Sequence, residues 1–201
     1  MIAKLSELKT MTNNDAGTAE DARLTIALVW AQALMERHCG RLFESATTET
    51  MYHDGGGYGL YLNRWPLYDV TLALNVTIAT DYNWAAATVL TPNVDYRGNA
   101  ARGTVTRLPD GARWPAGPQI IRTIHRGGYT DPATTPLPSG CVYVAAHIQA
   151  AALLEATDLY KRRDEPGYKI VAAMPGGMAS GYAPTIELLA IAKELLRGER
   201  R

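Results

Sequence analysis

A mixed α+β fold, a helical bundle carrying an inserted small antiparallel β-region, follows from three patterns. Apolar residues recur at the helical period near both ends of the 201-residue chain. Between them lie short alternating segments cut by Gly, Pro, Asn and Asp, the signature of brief strands and tight turns. A proline-rich stretch then separates this middle from a second long helix. The expected divisions are residues 1–43 and 138–201 for the helices, 44–130 for the β-region and 131–137 for the connector.

Leu5, Leu8 and Met11 predict a short first helix, and the Thr12–Gly17 cluster a turn after it. Thr18 reads as the cap of a second helix, with Glu20 and Asp21 favouring its positive end. Ile26, Val29, Trp30, Ala33, Leu34 and Arg37 keep its 3.6-residue period, and Gly40 stands where a helix stops. In the middle, Asp54-Gly55-Gly56-Gly57 between Met51-Tyr52 and Leu60-Tyr61-Leu62 predicts a hairpin. Further strands are expected over 70–78, 88–90, 94–96, 103–107 and 119–124, forming a small antiparallel sheet or barrel. Ser139 reads as the cap of a helix running to about Arg163, with Val142, Ile148, Ala152, Ala156, Leu159 and Tyr160 on its packed side. Residues 164–183 show no period, and Pro184 opens a last helix with a stripe of Ile186, Leu189, Ala190, Lys193 and Leu196. The charged residues from Arg197 to Arg201 read as a frayed tail.

A hydrophobic fraction of 47% supports a packed core. Twenty basic and twenty acidic residues cancel, which argues against a dedicated nucleic-acid or anionic-membrane binder. No run reaches the roughly 18 apolar residues of a membrane helix, and none near the N-terminus has signal-peptide length. Cys39 and Cys141 read as separate reduced thiols in apolar settings.

The chemical signatures fail one by one. The Gly55–Gly59 cluster has no following Lys and opens no helix, so it is no phosphate loop. His38, Cys39, His53, His125, Cys141 and His147 lack the paired short spacings of a zinc site. Ser180 lies outside any strand-to-helix elbow. Neither a catalytic residue nor a cofactor or metal site is therefore expected. One local charge signal stands out: Arg97, Arg102, Arg107, Arg113, Arg122 and Arg126 against Asp110 alone, six minus one, or +5. It fits either phosphate contact or outward arginines that pair with a neighbouring subunit.

Several segments, in order, resemble the head-tail connector proteins (adaptor or head-completion proteins) of long-tailed phages. They are Leu5-Ser6-Glu7-Leu8-Lys9, Glu36-Arg37-His38-Cys39-Gly40-Arg41-Leu42-Phe43, and Leu60-Tyr61-Leu62-Asn63-Arg64-Trp65-Pro66-Leu67. Tyr96-Arg97-Gly98, Gly103-Thr104-Val105 with Trp114, Arg126-Gly127-Gly128-Tyr129 with Pro138, and Leu195-Leu196-Arg197 complete the series. The resemblance implies a structural virion protein rather than an enzyme. It implies a ring, commonly of twelve subunits, between the portal protein and a tail-side stopper or tail-completion protein, with genomic DNA passing through it without sequence specificity. Its place would be the virion neck, reached from the host cytoplasm during assembly, with no membrane partner. The C-terminal segment would dock on the portal, through Ile186, Leu189, Leu196, Arg197, Arg200 and Arg201. The six arginines would pair subunits or line the channel. The alternatives are another ring-forming neck or tail-completion protein, a nucleic-acid-binding module using Arg97–Arg126, and a small hydrolase using Cys39, Cys141 or Ser180.

Overall fold

The computed structural model describes residues 1–14, 17–45, 48–68, 74–79, 84, 86–131, 134, 136–137, 140–162 and 187–200. Four expectations lie outside these residues: the Ser139 cap, the 164–183 segment with Ser180, the Pro184 start, and the first half of the 70–78 strand. The described helices are α1 (Leu5–Met11), α2 (Asp21–Cys39), α3 (Ala146–Lys161) and α4 (Ala190–Leu195), followed by a 3₁₀ turn at Arg197–Glu199. The described strands are β1 (Glu49–His53), β2 (Gly59–Tyr61), β3 (Leu74–Ile78), β4 (Thr88–Val89), β5 (Tyr96–Asn99), β6 (Thr104–Arg107), β7 (Ile121–His125), β8 (Tyr129–Thr130) and β9 (Val142–Tyr143). The chain is thus α+β as expected, but richer in strand than a helical bundle with a small insertion. It divides into a helical unit, residues 1–40 and 145–201, and a β-unit, residues 41–144.

In the helical unit α2 packs along α3, and α1 touches both. α2 ends at Gly40, whose φ of 66° is the left-handed stop that glycine adopts without a Cβ clash. Its start differs from expectation: the helix begins at Asp21, and Thr18 sits in a preceding turn, where its carbonyl accepts the Asp21 N–H. The larger difference is the face. Leu24, Ala27, Leu28, Ala31, Met35 and Cys39 are buried, whereas Ile26 and Val29 are 49% and 51% exposed. Both sides of α2 are apolar, so periodicity alone selected the outer one. α3 buries Ile148, Ala152, Ala156, Leu159 and Tyr160 as expected, and also Glu155. It starts at Ala146 and not near Ser139, because the β-branched Val142 pairs within a sheet.

The β-unit holds three sheets among the described residues: β1-β7-β3-β4, β2-β6-β5 and β8-β9. The first two are antiparallel, and β8-β9 is parallel. Alternation places Ile121, Thr123 and His125 of β7 on the inner face and Arg122 and Ile124 outward. Leu74 and Val76 of β3, Leu60 of β2, Val105 of β6, Tyr96 of β5 and the loop residue Trp114 complete one core. The Tyr96 hydroxyl donates to the Leu74 carbonyl at 2.8 Å, so the buried phenol keeps a partner.

The expected 51–62 hairpin does not form. β1 pairs with β7 and β2 with β6. The glycine run instead binds a distant loop. Gly55 and Gly56 donate to the carbonyls of Gly117 and Trp114 at 2.8 and 3.0 Å, and Trp114 donates to Gly57 at 2.8 Å. A Cβ on Gly55 would lie 1.5 Å from the Pro115 carbonyl oxygen, so close backbone approach, and not a tight turn, explains that glycine. Val94 and Asp95 likewise lie in a turn, and β5 begins at Tyr96.

Candidate functional site

The C-terminal segment is built onto α3. Leu188, Ala192 and Leu196 are 7%, 0% and 0% exposed, which pins α4 by its inner face. Leu189 is extended, with φ −53° and ψ 143°, and its N–H donates to the Glu155 carboxylate at 2.9 Å. Burial raises the Glu155 pKa, opposed by that N–H, while Asp158 raises it further and Arg162 and Lys193 lower it. A buried carboxylate therefore holds the backbone where the last helix begins. His147 Nε2 lies 2.9 Å from the Glu199 carboxylate, tying the 3₁₀ turn to α3. His38 of α2 has its pKa lowered by burial, then by Arg200 and Lys193.

This geometry revises the expected docking residues. Leu196 belongs to the core of its own unit, and Leu189 is half-buried beside Glu155. The 197–199 turn follows a buried leucine and is folded, not a frayed tail. Ile186 and Arg201 lie outside the described residues. What α4 and the turn offer outward is Ile191, 58% exposed, with Glu187, Glu194, Arg197 and Arg200.

The six arginines do not share one face. Arg97 on β5 and Arg107 on β6 point to opposite sides of one sheet, since Arg97 pairs with Thr106 and Arg107 with Tyr96. Arg97 lies 3.7 Å from Asp110, both well exposed. Arg107 sits 5.9 Å from the Trp114 ring, Arg113 4.7 Å from Tyr58, and Arg126 5.6 Å from Tyr68. Arg122 sits 5.0 Å from Trp84 on the other sheet, and Arg102 is exposed in the β5–β6 turn. Four of the six thus rest on rings of their own chain. Arg97, Gly98, Asn99, Thr104 and Thr106 line an open groove along β5 that holds no His, Cys or carboxylate.

Three arrangements had no signal in sequence spacing. Tyr52, directly opposite Arg122 across β1–β7, meets Trp84 edge-on at 5.5 Å, giving an outward Tyr-Trp-Arg cluster. Arg41, 2% exposed, lies 4.6 Å from the Phe43 ring, 4.4 Å from Trp65 and 5.5 Å from Tyr129, and donates to the Trp65 carbonyl at 3.1 Å. The resemblance marked Gly40-Arg41 as a segment, and its arginine is a packing post between aromatics. The third is a half-buried polar chain that ends on the buried His125: His125 Nε2 to Asn63 at 3.3 Å, and Asn63 and Arg64 to Glu49 at 2.5 Å each. Burial lowers the His125 pKa to about 4, with Glu49 opposing and His53 and Arg64 adding to the fall.

Among the described residues no three His, Cys, Asp or Glu side chains gather as a metal site. Cys39 is buried in α2, and Cys141, half-buried, precedes β9 instead of lying in a helix. No described helix is long and apolar enough to cross a membrane.

No family model matches the chain, and no curated protein does. The fold is similar to solved chains of gene transfer agent (GTA) particles. One is from the "Virion of native gene transfer agent (GTA) particle", with a TM-score of 0.57, 20% identity, and coverage of 99% of this chain and 89% of that one. Another is from the "Neck of native GTA particle computed with C12 symmetry", at TM-score 0.56, 18% identity, 99% and 88%. A third is from the "Neck of empty GTA particle computed with C6 symmetry", at TM-score 0.55, 20% identity, 99% and 89%. At these identities the likeness defines a shared fold, spanning nearly the whole chain.

Proposed function

We propose that this protein is a structural component of the neck of a phage-like particle, and within it a head-tail adaptor. Copies form a ring, twelve by the symmetry given for one neck, between the portal and the tail-side stopper or completion protein. Genomic DNA passes through the ring without base-specific contact. The observation that carries this reading is the fold likeness over 99% of the chain to chains from GTA necks. The order of segments that resembles head-tail connectors supports it independently. The absence of a serine elbow or phosphate loop in the sequence agrees with a role in assembly and not catalysis.

In this reading the helical unit meets the portal, using the outward residues of α4 and the turn after it. The β-unit reaches neighbours and the tail side, and the exposed Arg97, Arg102, Arg113 and Arg126 pair subunits or line the channel. A nucleic-acid-binding module is the weaker reading, because the arginines are spread over different faces and Arg107 and Arg122 are half-buried against rings of the chain itself. The test is native mass of the full chain mixed with the portal protein of the same genome. A stoichiometric complex is expected. A chain that ignores the portal, but binds naked DNA with steep salt dependence, would overturn the adaptor in favour of the DNA binder.

A further inference from the structure

β1 is an open edge of the sheet β1-β7-β3-β4. The ladder fixes which of its backbone groups are free. In an antiparallel ladder a residue turns its N–H and C=O to one side, and the next residue turns them to the other. Ala79 donates to the Ile120 carbonyl and Leu90 to the Val76 carbonyl, each at 2.9 Å. Carried along the registers, this makes Thr77 and Asn75 bond to Arg122 and Ile124, and leaves Ile121, Thr123 and His125 to bond to His53, Met51 and Glu49. The N–H and C=O groups of Thr50 and Tyr52 therefore point out of the sheet, and among the described residues none of them has a partner. Both residues are exposed, and such an edge is a template for a further strand.

Beside that edge stands the Tyr52-Trp84-Arg122 cluster. Trp84 presents its ring from a left-handed backbone, φ 57°, which a bulky residue keeps only under constraint. Arg122 is half-buried, and its Nε is buried with no hydrogen-bond partner. The row it stands in runs Tyr52, Arg122, Thr77 and Val89, and it holds no carboxylate. The acids of β1 and the turn after it are engaged elsewhere. Glu49 lies on the opposite face with Asn63 and Arg64, and Asp54 accepts the Gln119 N–H at 2.8 Å. A guanidinium half-drawn from water against a ring is completed by a carboxylate, which its planar donors fit.

We infer that β1 receives an extended, carboxylate-bearing segment of a different protein as a further strand. Its backbone pairs with Thr50 and Tyr52, and a long acidic side chain reaches past Tyr52 to Arg122. The added strand lies two strand spacings, about 10 Å, from β7, a gap that a glutamate and an arginine close between them. Tyr, Trp and Arg are the side chains on which interfaces concentrate their binding energy. A second copy of this chain does not supply the acid. The other described edge strands, β2, β4, β5, β8 and β9, hold no Asp or Glu, and a second β1 offers only Glu49, already paired. Naming the partner as the tail-side completion protein rests on the neck reading.

The experiment mixes the full chain with the tail-side completion protein of the same genome and reads affinity and residue-resolved amide exchange. The expected result is slowed exchange at Thr50 and Tyr52 in the complex. Arg122→Glu is expected to weaken the complex roughly tenfold or more, and Arg122→Lys less. Thr50→Pro removes only an outward N–H, as edge prolines do, so the chain should stay folded and bind as weakly as Arg122→Glu. Native mass with the portal separates the two failures. A chain that binds the portal but shows no slowing at Thr50 and Tyr52 overturns this site and leaves the neck reading standing. Unchanged affinity in Arg122→Glu does the same. A chain that binds neither protein removes both. Slowing of these amides by self-association of the chain, or by duplex DNA, would overturn the acidic segment as the occupant.

Discussion

In the β-unit, Trp114 and Tyr96 are each 1% exposed, and the sheets that surround them close on a single core. Its outward aromatics lean on neighbouring side chains, Tyr58 on Arg113 and Tyr52 on Trp84, yet each keeps more than half of its surface in water. In the helical unit, α2 buries one apolar face and leaves a second in water, and α4 does the same with Ile191. The contrast teaches where each unit finds its stability. The β-unit draws on contacts of high sequence separation within the chain, such as 52 with 122 and 60 with 105. The helical unit packs whole helices, α2 along α3, and leaves Ile26, Val29 and Ile191 about half exposed.

The comparison breaks most sharply at Trp114. Trp114→Ala should cost about 3–5 kcal/mol by emptying the space between the two larger sheets. Urea unfolding followed by far-UV circular dichroism checks it. A loss under about 1 kcal/mol would mean that this core is not what holds the β-unit.

Acid sharpens the comparison, because His125 and Glu155 respond with opposite signs, while His38 of α2, whose pKa is also lowered, adds to the helical unit a loss of the His125 kind. His125 is held neutral with a pKa of about 4 against 6.5 when unfolded. Between those values the unfolded chain binds more protons, so the stability His125 contributes is whole above pH 6.5 and is lost on the way to pH 4. That loss is on the order of 3 kcal/mol. Glu155 has its pKa raised by burial, so its ionised form costs stability at neutral pH, which is regained as pH falls through its folded pKa. Hydrogen exchange read separately over 121–125 and 187–196, at pH 7 and pH 5 in a His38→Gln chain that removes the His38 contribution, should show protection falling in the first and holding or rising in the second. Parallel loss in both would contradict the assignment. His125→Gln should flatten the β-unit's response.

The smallest effect on folding is expected at Ile26. Ile26→Ser should change monomer stability by no more than about 0.5 kcal/mol, as surface substitutions do. A large loss of monomer stability would show that the outer face of α2 is covered by the chain itself.

Elements whose causes are local were legible in the sequence. Gly40 stops α2 because a left-handed residue is needed there, and β6, β7 and most of α3 announced themselves by alternation or period. Partner choice was not legible. Asp54-Gly55-Gly56-Gly57 has hairpin chemistry, yet its N–H groups are claimed by residues 114–117, some 60 positions away. The face of α2 was misread because a helix with two apolar sides has no single stripe for periodicity to find. Glu155 was invisible as a functional carboxylate, since only the folded chain brings the Leu189 N–H to it. The arginine cluster was real as composition and dispersed as geometry, with four of the six guanidiniums going to nearby rings and not to a common surface.

The central claim, that this chain works as a ring in a particle neck, is tested most directly by electron microscopy of the full chain assembled on its portal. Class averages are predicted to show a ring of rotational symmetry with an open centre, one chain per repeat, seated on one face of the portal. A portal carrying no added layer, with this chain remaining as separate monomers, would contradict the account.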